Sequence, residues 1–283
     1  MSADASPDPN AGTDADPNAG TDADPNAGTD ADPNPDADDQ LADGSSSDER
    51  GDPLLSLSGV ETYYGDSHVL EGVDLDVYEG EVVALMGRNG VGKTTTLRSV
   101  LQLTPPRKGS IRYRGEELVG RETHEVASRG LGWIPEDRRM FGQLTVEENV
   151  RVAVPDAEDG DAALELAFET FPDLRDRKDA KAGDLSGGQQ QMLAIARGLV
   201  GDNDLLLVDE PSEGLAPLIV EAVAEALTEA ASDTTMLLVE QNLPLALDVA
   251  DRFYVLDHGT VVDEGDTDAV SADGERLRRY LSA

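Results

Sequence analysis

An α/β fold with a parallel sheet, an antiparallel β part and an inserted helical part is predicted by three short runs. Residues 81–86, 205–208 and 236–239 are nearly unbroken apolar segments, as strands covered on both faces require. The first enters a glycine-rich loop, the second ends in Asp209-Glu210 and the third in Glu240-Gln241. Helical patterns alternate with these strands, which fits one α/β core of about 230 residues.

The first run leads into Gly87-Arg88-Asn89-Gly90-Val91-Gly92-Lys93-Thr94-Thr95 and a helical stretch over residues 94–103. This is a Walker A loop in its expected strand–loop–helix context. Gly87, Gly90 and Gly92 allow backbone conformations a β-carbon would obstruct, so that successive N–H groups, with Asn89 among them, face phosphate oxygens. The helix adds its positive end. Lys93 is expected to reach the β- and γ-phosphates of a nucleotide. Thr94 is expected to place its hydroxyl on the bridging Mg2+, and Thr95 to support the same phosphates.

The chain has 283 residues and a formal net charge of -37. In residues 1–52 the octapeptide Ala-Gly-Thr-Asp-Ala-Asp-Pro-Asn recurs from Ala11, Ala19 and Ala27, with no apolar periodicity. That composition cannot bury a core, and an acidic, disordered tail is expected there. Residues 53–283 are acidic in their own right, with 44 acids against 21 bases, and only four lysines. Such a surface suits a cytoplasm of molar salt, where screening shortens repulsion to roughly 3 Å. With no cysteine there is no disulfide frame and no thiolate metal site. No apolar run approaches the roughly 20 residues of a membrane-spanning helix, and the first residues lack the basic and apolar segments expected of a signal peptide. A cytoplasmic location is expected, with any membrane role exercised through partners.

From Pro53 the reading is β. Residues 55–60 alternate, Tyr63-Tyr64-Gly65 follow, and residues 69–77 alternate around Gly72, as antiparallel strands beside the nucleotide strand would. Tyr64 falls where an aromatic ring would stack on adenine, although a strand pair with Tyr63 explains it equally well. Residues 109–115 read as strand and turn, and residues 131–135 as a short buried strand that packs Trp133. Residues 137–200 turn helical. Thr145-Val146-Glu147-Glu148 is a capping box, and Leu164, Ala167, Phe168 and Phe171 share one helical face.

Leu185-Ser186-Gly187-Gly188-Gln189 opens a further helix whose core face is Met192, Ile195, Ala196 and Leu199. Ser186 with Gln189 fits a capping box. Capping does not explain two adjacent glycines. Asp209 and Glu210 stand at the carboxyl end of a parallel strand, where such sheets bind ligands. Asp209 is placed to hold magnesium through water, and Glu210 to orient or deprotonate an attacking water. A helix after Pro217, strands at 253–256 and 260–262, and a closing helix at 275–281 complete the fold. His68, His124 and His258 are scattered and are given no metal or catalytic role. Met140 and Phe141 suit either helical core packing or contact with a membrane subunit.

Walker A, the segment 185–189 and the Walker B strand ending in Asp209-Glu210 stand in the order that resembles the ATP-binding subunit of ABC transporters, over about residues 54–281. Residues 134–141, 144–150, 189–195, 212–217 and 239–242 are most similar to the smaller ATPase of branched-chain amino-acid importers of the LivF type. Glu136 stands where most ABC members have a glutamine that senses magnesium and contacts the membrane subunit. Gln241 stands where most have a switch histidine at the γ-phosphate. The resemblance implies ATP bound by Walker A of one subunit and closed over by Ser186, Gly187, Gly188 and Gln189 of a facing one. It implies Glu136, Asp209 and Thr94 near the metal, and Glu210 and Gln241 near the hydrolytic water. The partners implied are a second ATPase subunit, two membrane permeases and an external binding protein, with the chain on the inner face of the membrane. An importer of urea or short amides is the nearest alternative. A soluble ABC-type ATPase of nucleic-acid maintenance is another, against which stand the single unit, the absence of cysteine and the acidic balance.

Overall fold

The computed structural model describes residues 50–154, 159–271 and 275–281. The acidic repeat expected to be disordered, residues 1–49 of it, lies outside the described residues. Two sheets carry the fold. An antiparallel sheet has the order β2-β1-β4-β5, from β1 (Leu55–Tyr64), β2 (Ser67–Val77), β4 (Lys108–Tyr113) and β5 (Glu116–Glu117). A six-stranded sheet has the order β10-β9-β3-β8-β7-β6. It contains β3 (Val82–Met86), β6 (Leu131–Ile134), β7 (Leu205–Asp209), β8 (Thr235–Glu240), β9 (Arg252–Asp257) and β10 (Thr260–Asp266). All its neighbours pair in parallel except β10, an antiparallel edge. The β-rich opening therefore forms a sheet of its own and does not extend the nucleotide strand's sheet.

The three apolar runs are β3, β7 and β8, buried over their full lengths. Successive side chains leave opposite faces of a strand, and the two cores divide accordingly. Val82, Ala84, Met86, Leu206, Val208, Met236 and Leu238 pack with the helical part. Val83, Leu85, Leu205, Leu207, Leu237 and Val239 pack with the antiparallel sheet and with Leu97 and Val100 of α1 (Lys93–Val100). The same parity carries Asp209 to the α1 face and Glu240 to the other.

Between β6 and β7 lie α3 (Val146–Arg151), α4 (Gly160–Thr170), α5 (Pro172–Arg175) and α6 (Gly187–Leu199), after a short α2 (Thr123–Ala127). Thr145 caps α3 and Ser186 caps α6, each with its reciprocal glutamate or glutamine. Gly198 lets α6 lie against β6, since a β-carbon there would overlap the Ile134 side chain. α7 (Pro217–Ala230) buries Val223 and Ala226, and α8 (Leu243–Val249), unmarked by any periodicity noted in the sequence, starts at a side-chain cap from Asn242. α9 (Glu275–Leu281) closes the chain.

Candidate functional site

The phosphate loop joins β3 to α1 under tight packing. A β-carbon on Gly87 would run into the Leu256 carbonyl, and one on Gly92 would come within 2.6 Å of Leu70 Cδ2. Gly90 and Gly92 have φ of 84° and 117°, in the left-handed region that glycine enters without strain. Gly92 also begins α1 with no side-chain cap and no acid in the first turn, so the turn's N–H groups are left for a ligand. These features fit a triphosphate.

Lys93 is buried in this loop. Its Nζ donates to the carbonyls of Gly87 at 2.8 Å and Arg88 at 2.9 Å, and pairs with Glu210 Oε1 at 3.0 Å. The Thr94 hydroxyl donates to Asp209 Oδ1 at 2.9 Å. Asp209 reaches it because β7 places that carboxylate on the α1 face. Glu210 has φ 45°, a strained conformation for a non-glycine residue, held as its N–H donates to the Val239 carbonyl at 2.9 Å. A cavity of about 110 Å3 is lined by Val69, Gly90, Gly92, Lys93, Thr94, Thr95 and Glu210. It is far smaller than the cavity of about 630 Å3 beside Arg112, Arg114 and Glu79, but that larger one holds no residue of any motif.

Carboxylates crowd this corner. Burial, with the charges of Glu136 and Glu210, pushes the Asp209 carboxyl up to about 6, against the opposing Thr94 hydrogen bond. Glu213 is pushed up to about 7, first by a hydrogen bond with Glu136, then by burial and by the charges of Glu136 and Glu210. Among the described residues no three such groups form a ready cage for a metal ion. The Thr94 hydroxyl and the Asp209 carboxylate, which meet beside the phosphate loop, are oxygen donors of the kind a magnesium ion takes.

Tyr64, at the end of β1, is 44% exposed and its hydroxyl lies 3.3 Å from Thr104 Oγ1. Burial raises its pKa, but hydrogen bonds to Thr104, Arg98 and Thr95 outweigh this and leave the group lowered, which places the ring beside α1. Its neighbour Tyr63 stacks on His68 at 4.1 Å, with Arg107 over the ring at 4.4 Å. The two tyrosines are thus differently engaged, one locked in a stack and one open to a ligand.

Ser186, Gly187, Gly188 and Gln189 line no part of the phosphate-loop cavity. Ser186 and Gly187 are exposed. Ser186 Oγ accepts from Gln189 N at 3.3 Å, and Gln189 Oε1 accepts from Ser186 N at 3.1 Å. A β-carbon on Gly188 would come within 3.1 Å of Ile219, so the second glycine seats α6 against α7.

The model of the ABC transporter family matches residues 70–213. The chain belongs to this family. The ABC ATPase is 43% identical over 212 residues to the high-affinity branched-chain amino acid transport ATP-binding protein BraG of Pseudomonas aeruginosa, spanning 74% of this chain and 91% of that one. It is 36% identical over 216 residues to the probable branched-chain amino acid transport ATP-binding protein LivF of Archaeoglobus fulgidus, spanning 75% and 92%. Among solved structures, an ATP-binding subunit of an ABC transporter superposes with TM-score 0.68 at 30% identity over 81% of this chain and 95% of that one. An ATP-binding cassette solved as a dimer in a post-hydrolysis state with ADP and phosphate gives TM-score 0.68 at 25% identity, over 76% and 99%. The ABC ATPase thus has the fold and the ATP-hydrolysing character of its family. No described helix is long and apolar enough to cross a membrane.

Three residues in the site were given no role by the sequence. Glu240, 2% exposed, accepts from the N–H groups of Ser212 at 3.0 Å, Gln241 at 2.9 Å and Asn242 at 2.8 Å, tying the loop after β7 to the segment of Gln241. Glu213 meets Glu136 and Glu210, and Arg138 contacts the same loop. A charge ending an apolar run is the one signal that pointed to Glu240. The other two come together only through the adjacency of β6, β7 and β8.

Proposed function

We propose that this ABC ATPase energises an importer of branched-chain amino acids. The identity of 43% to BraG across 91% of that protein carries the reading, and the LivF relative supports it. Uptake of labelled leucine in the native host tests it. With Glu210→Gln replacing the wild-type subunit, leucine uptake is expected to fall to background in high-salt medium. Unchanged leucine uptake with loss of urea or short-amide uptake would move the assignment to those solutes.

The geometry supports the following chemistry. Phosphates entering the loop meet the N–H groups of residues 90–95 and the Lys93 ammonium, which exchanges its Glu210 partner or a loop carbonyl for the γ-phosphate. Glu210, released from Lys93, then orients and deprotonates water. Thr94 and Asp209, with Glu136 nearby, would hold a magnesium ion, which would supply charge neutralisation for the phosphates and for the crowded carboxylates of Asp209, Glu136 and Glu213. Gln241, held by its N–H on Glu240, is assigned to the γ-phosphate side, and Tyr64 to the adenine. Ser186, Gly187, Gly188 and Gln189 are assigned to the nucleotide of a facing ATPase subunit, since among the described residues they line no part of the phosphate-loop cavity and Ser186 and Gly187 are exposed. Closure over two ATP molecules, and reopening on hydrolysis, drives two permease subunits that take solute from an external binding protein. The chain then sits on the inner face of the membrane through those permeases.

The acid excess of residues 53–283 supports adaptation to molar salt. Transfer from molar to millimolar KCl is expected to unfold or aggregate the protein, and circular dichroism unchanged across that range would refute the adaptation. Residues 53–283 are assigned to the ATP-binding domain and about 137–200 to its helical part.

A further inference from the structure

Arg138 lies in the loop between β6 and α3, two residues after Glu136, with φ 57°, a backbone conformation non-glycine residues seldom adopt. Its guanidinium leaves that loop and touches two others. Nε donates to Gln191 Oε1 at 3.1 Å, on α6 one turn past the start of the helix. Nη2 donates to the backbone carbonyl of Glu213 at 3.4 Å, in the loop after β7. Nη1 lies 3.0 Å from where a β-carbon on Gly187 would stand. Glycine at that position therefore lets the guanidinium lie against the opening turn of α6.

The receiving groups are themselves fixed. Gln191 is 2% exposed and its Nε2 has no hydrogen-bond partner among the described residues, so its oxygen is the working half of the amide. The Glu213 carboxyl meets Glu136 and Glu210, so the segment gripped by Arg138 also borders the residue assigned to the hydrolytic water. A planar fork held at two points transmits displacement between loops, whereas one ammonium on a flexible stem cannot hold both.

We propose that Arg138 is a positioning residue that locks the loop of Glu136 to the start of α6 and to the loop after β7. A shift of the Glu136 loop is thereby passed at once to Ser186 and Gly188 and to the border of Glu210. This rests on the reading of residues 186–189 as the surface that closes over a facing subunit's nucleotide.

The test uses the full transporter complex, purified from the host through a tag on the full-length chain and kept in molar KCl. Arg138→Ala is expected to lower kcat for ATP about tenfold, while KM and the Kd of a fluorescent ATP analogue stay within twofold. Arg138→Lys is expected to recover less than a third of the lost kcat. In a Gln191→Ala background, Arg138→Ala is expected to cost less than threefold more, because the shared contact is already gone. Fully additive losses, complete rescue by lysine, or a Kd weakened in step with kcat would overturn the proposal. The closure reading is checked separately, by ATP-dependent association of the Glu210→Gln chain with a facing ATPase subunit. If that association is absent while the cycle remains non-additive, the lock stands and the closure reading fails.

Discussion

The phosphate loop and residues 186–189 both open a helix with closely spaced glycines, yet they solve the helix start in opposite ways. α1 begins at Gly92 with no side-chain cap, and its loop is packed so closely that β-carbons on Gly87 and Gly92 would overlap neighbours. Its unclaimed N–H groups and its buried lysine form a cradle complete within one chain. α6 pairs two donors of its own start, Ser186 N and Gln189 N, through the Ser186–Gln189 box and leaves Ser186 and Gly187 exposed. On the proposed reading the first is a binding site and the second is half of one. The comparison teaches that glycine spacing alone does not define a phosphate site, and that the fate of the helix's free N–H groups does.

The largest effects separate the two regions. Lys93→Met should abolish nucleotide binding by the chain itself. Ser186→Arg should leave that binding within twofold while hydrolysis in the complex falls by about two orders of magnitude, on the scale of losing one preorganised group at the transition state. Fluorescent-nucleotide titration beside steady-state turnover checks both, and equal loss of binding in the two variants would erase the distinction drawn here.

A smaller effect concerns the carboxylate that braces the cradle from behind. Glu240→Ala leaves three part-buried N–H groups without their acceptor, and a loss of about 1–3 kcal/mol in stability is expected from urea unfolding in molar KCl. Glu240→Gln, which keeps an oxygen acceptor, should cost less.

The smallest is a pH dependence. Asp209 has its folded pKa raised from 3.8 to about 6. The folded chain therefore holds this proton where the unfolded chain has lost it. The stabilisation is present at and below about pH 4 and is lost as pH rises through about 6. Asp209→Asn removes this dependence. Without divalent cation, its stability relative to wild type should rise between pH 4 and 7, by on the order of 2 kcal/mol from the size of the shift. A flat difference between the two proteins across that range would contradict the assigned cause.

Much of the cradle was legible because its physics is local. The strand before the loop, the glycines, Lys93 and the helix after it are contiguous, and the capping boxes at Thr145 and Ser186 declare themselves within four residues. Asp209 and Glu210 were legible from the end of an apolar strand. The Glu240–Ser212, Arg138–Glu213 and Arg138–Gln191 contacts were not, because those partners lie 28, 75 and 53 residues apart in sequence and meet only once β6, β7 and β8 are adjacent. α8 escaped notice because seven residues carry too short a period, although its Asn242 cap was in view. The antiparallel β part was legible from alternation, but its strand order and its separation from the sheet of β3 were not, since alternation gives a strand's faces but not its neighbours.

The central claim, that residues 186–189 act on nucleotide held by another subunit, is met most directly by one cross-linking measurement. The chain contains no cysteine, so Ser186→Cys in the Glu210→Gln background accepts a single photoreactive label. Illumination of host membranes in molar KCl should then give an adduct that depends on ATP and maps to the Walker A loop of a facing ATPase subunit. An adduct formed equally without ATP, or mapping to the labelled chain's own loop, would contradict the account.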